Sequence, residues 1–150
     1  MIKIICLGKI KEQFYRDAIE EYLKRLTKYN KVEIIELPDY DGEKNIVLKK
    51  EAEVILKYID SKSYIITLEI EGKELSSTEF SEKLNNIFLN YPNITFIIGS
   101  SYGLSDEIKE KANYKLSFSR LTFPHQLFRV MLLEQIYRSY KILNNETYHK

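Results

Sequence analysis

Short apolar runs alternate with longer amphipathic stretches along the whole chain. Ile2 to Leu7 is rich in β-branched residues and stops at Gly8, which predicts a strand. Glu12 to Thr27 carries Tyr15, Ala18, Ile19, Tyr22 and Leu26 at helical spacing. Val32 to Leu37 reads as a second strand, ended by Pro38-Asp39, and the polar turn around Asp41-Gly42 leads into a helical stretch from Lys44 to Ile59. A third strand, Tyr64 to Ile70, closes at Glu71-Gly72. Ser76 and Glu79 have the spacing of a capping box, so a helix is expected from there to about Asn90. Ile94 to Ile98 is a nearly all-apolar fourth strand running into Gly99-Ser100-Ser101-Tyr102-Gly103. Ser105-Asp106-Glu107 starts a short helix that gives way near Asn113, and Tyr114 to Phe118 is a fifth strand. Pro124 suits the first turn of a last, long helix that runs through Leu127, Leu133, Tyr137 and Tyr140 to Leu143.

This alternation of strand and helix predicts an α/β fold, a mostly parallel sheet flanked by helices. Ligands of such sheets sit beyond the carboxyl ends of the strands. Here those ends are Leu68-Glu69, the Gly99–Gly103 loop and Phe118 to Phe123. The last helix is apolar around most of its circumference between Leu127 and Leu133. Such a helix either threads the centre of the molecule or packs on a second copy, and the second copy is the expectation.

Composition narrows the class. The 150 residues suit one domain, 1–150, and 44% hydrophobic with 30% charged residues is a globular profile. The lone Cys6 lies within an apolar run and is expected in the core rather than in chemistry. With no cleavable leader pattern and no apolar stretch of about 20 residues, a cytoplasmic protein with no membrane span is expected. Net charge is +1, but from Lys115 onward six basic residues face two acids, giving +4 there and −3 before it. That asymmetry fits a phosphate-contacting surface only weakly.

Three segments carry candidate chemistry. Gly99 and Gly103 bracket a loop whose main chain can approach a ligand closely, although it matches neither dinucleotide nor P-loop patterns and also reads as a tight turn. Leu116 to His125 leaves a buried strand with main-chain groups that have no ladder partners, so turns, water or a ligand must satisfy them. The polar end Asn144 to Lys150 reads either as a frayed tail or as a Tyr148-His149-Lys150 cluster that orders on RNA. Two histidines, one cysteine and no carboxylate motif give no metal-ligand set, and no serine or cysteine nucleophile has an evident base.

The run LSFSRLTFPHQLFRVMLLEQIYRSYKIL, with FIIGSSYG before it and YHK after it, strongly resembles the RlmH family of SPOUT-class methyltransferases. KIICLGKIKE and ITLEIEGKELSS extend the likeness over the whole chain. The resemblance implies a C-terminal trefoil knot, a homodimer, and S-adenosylmethionine-dependent methylation at N3 of a pseudouridine in 23S rRNA on the assembled ribosome. It carries cofactor contacts to Leu68, Gly99, Phe118, Ser119, Arg120, Leu121, Thr122 and Phe123. His125 and His149 are the candidate bases for the imide proton, and Arg129, Arg138, Tyr148 and Lys150 are the candidate RNA contacts. Two positions depart from the family pattern: Ser100 stands where a second glycine is usual, and Asn144-Asn145 replaces a glycine before the tail. The competing readings are a non-catalytic ribosome- or RNA-binding module that keeps the fold, and an unrelated nucleotide-binding α/β protein.

Overall fold

The computed structural model describes residues 1–150 as five strands and five helices in strict alternation. The strands are β1 (Ile2–Leu7), β2 (Val32–Leu37), β3 (Ser63–Glu74), β4 (Asn93–Ile97) and β5 (Tyr114–Ser117). The helices are α1 (Gln13–Leu26), α2 (Lys44–Leu56), α3 (Ser77–Phe88), α4 (Asp106–Lys111) and α5 (His125–Leu143). All strand pairs are parallel, in the order β2-β1-β4-β3-β5. The predicted boundaries of β1 and β2 hold at both ends, and the others move by a few residues.

Local chemistry explains the helix starts. The Ser76 hydroxyl accepts from the Glu79 N–H at 3.1 Å while the Glu79 carboxylate accepts from the Ser76 N–H at 2.9 Å, completing the capping box. Ser105 caps α4 by accepting from the Ile108 N–H. Pro124 stands at the cap of α5, where its missing N–H leaves no helix bond unmade.

Alternation along the strands sorts the core into two layers. Ile2, Ile4 and Cys6 of β1 join Ile66, Phe96 and Leu116 beneath α1, α3 and α5. Ile5 and Leu7 face the other way, onto Ala52 and Ile55 of α2 and Ile108 of α4. Cys6 is fully buried, and burial pushes its thiol up to about 12, so it is inert core as expected. Much of the apolar surface of α5 is used within its own chain: Leu132, Leu133 and Ile136 are fully buried in the α1/α3 layer. Val130 and Met131 remain half-buried, beside a groove of about 410 Å³ that Tyr22, Leu75 and Phe80 also line.

One strand departs from its sequence reading. β3 does not stop at Ile70 but continues to Glu74, after an excursion in which Leu68 and Lys73 both come opposite Leu116 of β5. The four residues between them leave the ladder. Gly72 lets the chain return, since a Cβ there would lie 2.7 Å from the Lys115 carbonyl oxygen. No helix is long and apolar enough to cross a membrane.

Candidate functional site

Three loops at the carboxyl edge of the sheet enclose a pocket of about 770 Å³. The β3 excursion supplies Leu68, Glu69, Ile70 and Glu71, and the loop after β4 supplies Gly99 to Leu104. The segment after β5 supplies Phe118, Ser119, Leu121, Thr122 and Phe123, and the first turn of α5 adds His125 and Phe128.

The apolar side of the pocket is built from Leu68, Leu116, Leu121 and a set of phenylalanines. The Phe118 and Phe128 rings lie 4.8 Å apart, with Phe123 at 6.4 Å from Phe128. The polar side is mostly main chain. From Ser119 to Phe123 no main-chain group bonds to another main-chain group; the Leu121 N–H instead donates to the Ser119 hydroxyl at 3.0 Å. Charged rims come from Lys44, Glu71 and the pair Lys109–Glu69, 3.9 Å apart, and Glu69 also accepts from the Thr67 hydroxyl.

Gly99 lets the β4 loop close on itself, because a Cβ there would meet the Gly103 carbonyl oxygen at 2.4 Å. Gly103 takes φ +79, a conformation that side chains disfavour, and its N–H donates to the Ser100 carbonyl at 2.8 Å. A flat, partly apolar ligand with polar edges fits this combination of aromatic slot and main-chain groups that lie outside the ladder.

The structure separates the two histidines. His125 lines the pocket, and its Nδ1 is buried without a hydrogen-bond partner. Burial, helped by the nearby Arg129 charge and opposed by Asp39, holds its imidazole below the ordinary value of 6.5. The folded chain therefore binds this proton more weakly than the unfolded chain, so stability is full above 6.5 and falls as the pH drops below it. A His125→Gln variant should lose less thermal stability than the wild type between about pH 7 and about pH 5.5. Equal losses in both proteins would remove His125 from that titration.

His149 lies outside the pocket, with its Nδ1 3.1 Å from the Arg138 guanidinium. The tail is ordered rather than frayed. The Tyr148 ring packs edge-on against Tyr137 at 5.0 Å, its hydroxyl donates to Glu134 at 3.1 Å, and Arg138 lies over its face. Asn145, at φ +54, turns the chain, and Glu146 accepts from Lys141 and Tyr29. Arg138 and the exposed Lys150 are on the surface side of this cluster.

Two expectations need correcting. Arg129 is not a surface group for RNA: its side chain is fully buried. It donates to Glu36 and to the Leu7 and Gly8 carbonyls, all at 2.8 Å, tying α5 to the ends of β1 and β2. Arg120 is exposed and does not line the pocket, although the residues on both sides of it do. Sequence reading missed Ile70, Glu71 and Phe128 in the wall. Their signal, the Glu-Ile-Glu-Gly run after Leu68, looked like a strand ending in a turn.

The family described as "Predicted SPOUT methyltransferase" matches residues 1–149. A Methanococcus maripaludis protein is 53% identical over 99% of both chains. A Clostridium botulinum ribosomal RNA large subunit methyltransferase H is 52% identical, again over 99% of both. The solved structure of a probable methylase family protein from Haemophilus influenzae Rd KW20 superposes with a TM-score of 0.58 at 16% identity, covering 99% of this chain and 70% of that one, a likeness of fold alone. With an all-parallel α/β sheet, a loop-built pocket at its carboxyl edge and these relatives, the chain belongs to the SPOUT methyltransferases, in the group of the ribosomal RNA large subunit methyltransferase H proteins.

Proposed function

We propose that this chain is an S-adenosylmethionine-dependent methyltransferase that modifies N3 of a pseudouridine in 23S rRNA on the assembled, cytoplasmic ribosome. The observation that carries the reading is the convergence of seven of the eight expected cofactor residues on one pocket: Leu68, Gly99, Phe118, Ser119, Leu121, Thr122 and Phe123. Bound there, S-adenosylmethionine would supply an activated methyl group on a sulfonium, and the N3 proton would have to pass to a base of this chain or to water.

The pocket residues bind, orient and exclude water. The slot of Leu68, Leu121, Phe118 and Phe123 takes a purine-like face, and the main-chain groups of residues 120–123 other than the Leu121 N–H take its polar edges. Alignment is the main contribution such a site makes when the donor is already activated, worth about 7–11 kcal/mol in favourable cases. His125 is the first candidate to accept the imide proton, a role supported by its position in the pocket wall and by its imidazole being neutral above 6.5. His149 is the second candidate, delivered by the tail. Arg138, Tyr148 and Lys150 are the proposed RNA contacts, through phosphate pairing and base stacking.

The reading includes a homodimer, which the half-buried Val130 and Met131 beside an open groove support, and a knotted C-terminal third. The test is methyl transfer from labelled S-adenosylmethionine to ribosomes lacking the modification, with naked 23S rRNA alongside. Label on intact ribosomes, mapped to a pseudouridine, is the expected result. Cofactor binding with no label on either substrate would favour a non-catalytic ribosome-binding module that keeps the fold.

A further inference from the structure

Glu51 has no role in the chemistry described above, and its position is unusual. It lies on the face of α2 that carries Val47, Ala52 and Ile55 into the core, and it is only 2% exposed. An apolar residue would pack there without desolvation, whereas a carboxyl is costly to bury unless its oxygens are partnered. Only one of them is. Oε1 accepts from the Ser100 hydroxyl at 2.8 Å, and Oε2 is buried with no partner. No cation faces it; burial and the Asp39 charge both disfavour its ionised form.

Ser100 is the anchor of the β4 loop. Its carbonyl accepts from the Gly103 N–H at 2.8 Å, its hydroxyl is 3.4 Å from the Tyr102 N–H, and it bridges to Gly103. Ser101, Tyr102 and Gly103 are exposed, and the far tip is tied back only by the Tyr102 hydroxyl donating to the Gly42 carbonyl at 3.2 Å. The loop is therefore a small closed box hung from Ser100, and Glu51 is the side chain beneath the loop that holds Ser100.

We propose that Glu51 is a positioning residue for the methyl-donor pocket: through Ser100 it sets where the main chain of Gly99–Gly103 stands against the ligand. Serine at position 100 then has a specific use, since a residue without a hydroxyl cannot make this contact. The ligand part of the proposal rests on the cofactor reading above; the loop part does not.

The test uses Ser100→Ala, Glu51→Ala, their double variant and Glu51→Gln, which keeps an acceptor oxygen. Hydrogen–deuterium exchange at the Tyr102 and Gly103 amides is read in ligand-free protein, and the Kd for S-adenosylmethionine by calorimetry. Each alanine variant should speed exchange in the loop and raise Kd about tenfold, the double variant no more than either, and Glu51→Gln should stay within about threefold of wild type. If Glu51→Ala does not fold, Ser100→Ala and Glu51→Gln still decide the matter. Lower melting temperatures with loop exchange and Kd unchanged would make the pair merely structural and overturn the proposal. A wild type that does not bind S-adenosylmethionine, with loop exchange still faster in the variants, would remove the cofactor reading and leave Glu51 as the residue that sets the loop.

Discussion

Gly99→Ala should weaken S-adenosylmethionine binding by about ten- to a hundredfold and reduce methyl transfer at least as much. The added methyl would sit 2.4 Å from the Gly103 carbonyl oxygen and 2.6 Å from its carbon, so a main-chain segment rather than a flexible side chain must give way. Overpacking of this kind typically costs about 1–3 kcal/mol. The strain falls on the loop that shapes the pocket, because Gly103 is also held by its bond to Ser100 and by its positive φ. Gly42→Ala makes a useful contrast. That residue has positive φ and no atom within 4 Å of the added methyl, so strain there should lower the melting temperature and reach the loop only through the Tyr102–Gly42 bond, raising Kd less than Gly99→Ala does. A Gly99→Ala protein with wild-type Kd would show that the loop does not contact the cofactor.

Arg129→Met should lower folding stability by roughly 2–5 kcal/mol, since two buried carbonyls lose their donor at about 1–3 kcal/mol each. Glu36 is 37% exposed and regains water, so most of the loss comes from the Leu7 and Gly8 carbonyls, which the substitution leaves without their donor. Denaturant unfolding measures it directly. A role in binding phosphate predicts the opposite pattern, namely unchanged unfolding with weaker and less salt-dependent ribosome binding. Arg138→Ala is the companion variant. Its side chain is 24% exposed, pairs with Glu134 and covers the Tyr148 ring, so the variant should loosen the tail and lose some stability, less than Arg129→Met, along with any RNA contact.

Much of this molecule is legible in its sequence because local rules and tertiary structure agree. β-Branched runs bounded by Gly8 and Pro38 fix β1 and β2, and the Ser76–Glu79 spacing fixes the start of α3. The pocket residues were reachable by a rule of topology, since ligands of parallel sheets lie at the carboxyl edge. What escaped was decided at longer range. The β3 excursion depends on two residues competing for one position opposite Leu116, which no pattern within β3 encodes. Arg129 sits in the sequence as one more basic residue of the C-terminal third. Its apolar neighbours Phe128 and Val130 were the signal that it points inward, but carbonyls more than a hundred residues away decide what it meets. The tail is held by Tyr137 and Glu134, contacts that composition alone cannot distinguish from solvation.

The strand order has a consequence for how the chain is made. β1 emerges first during synthesis and takes a central place, but one of its two neighbours is β4, which pairs Ile94 with Ile2. The donor that ties down its end, Arg129, is 122 residues away from Leu7. One edge of an isoleucine-rich strand must therefore stay unpaired until most of the polypeptide has been translated. Such an edge is a template for association with other chains, and sheets assembled from distant segments form slowly. Nascent chains of this protein should depend on chaperones or on slow elongation until residues 93–97 and then α5 have left the exit tunnel.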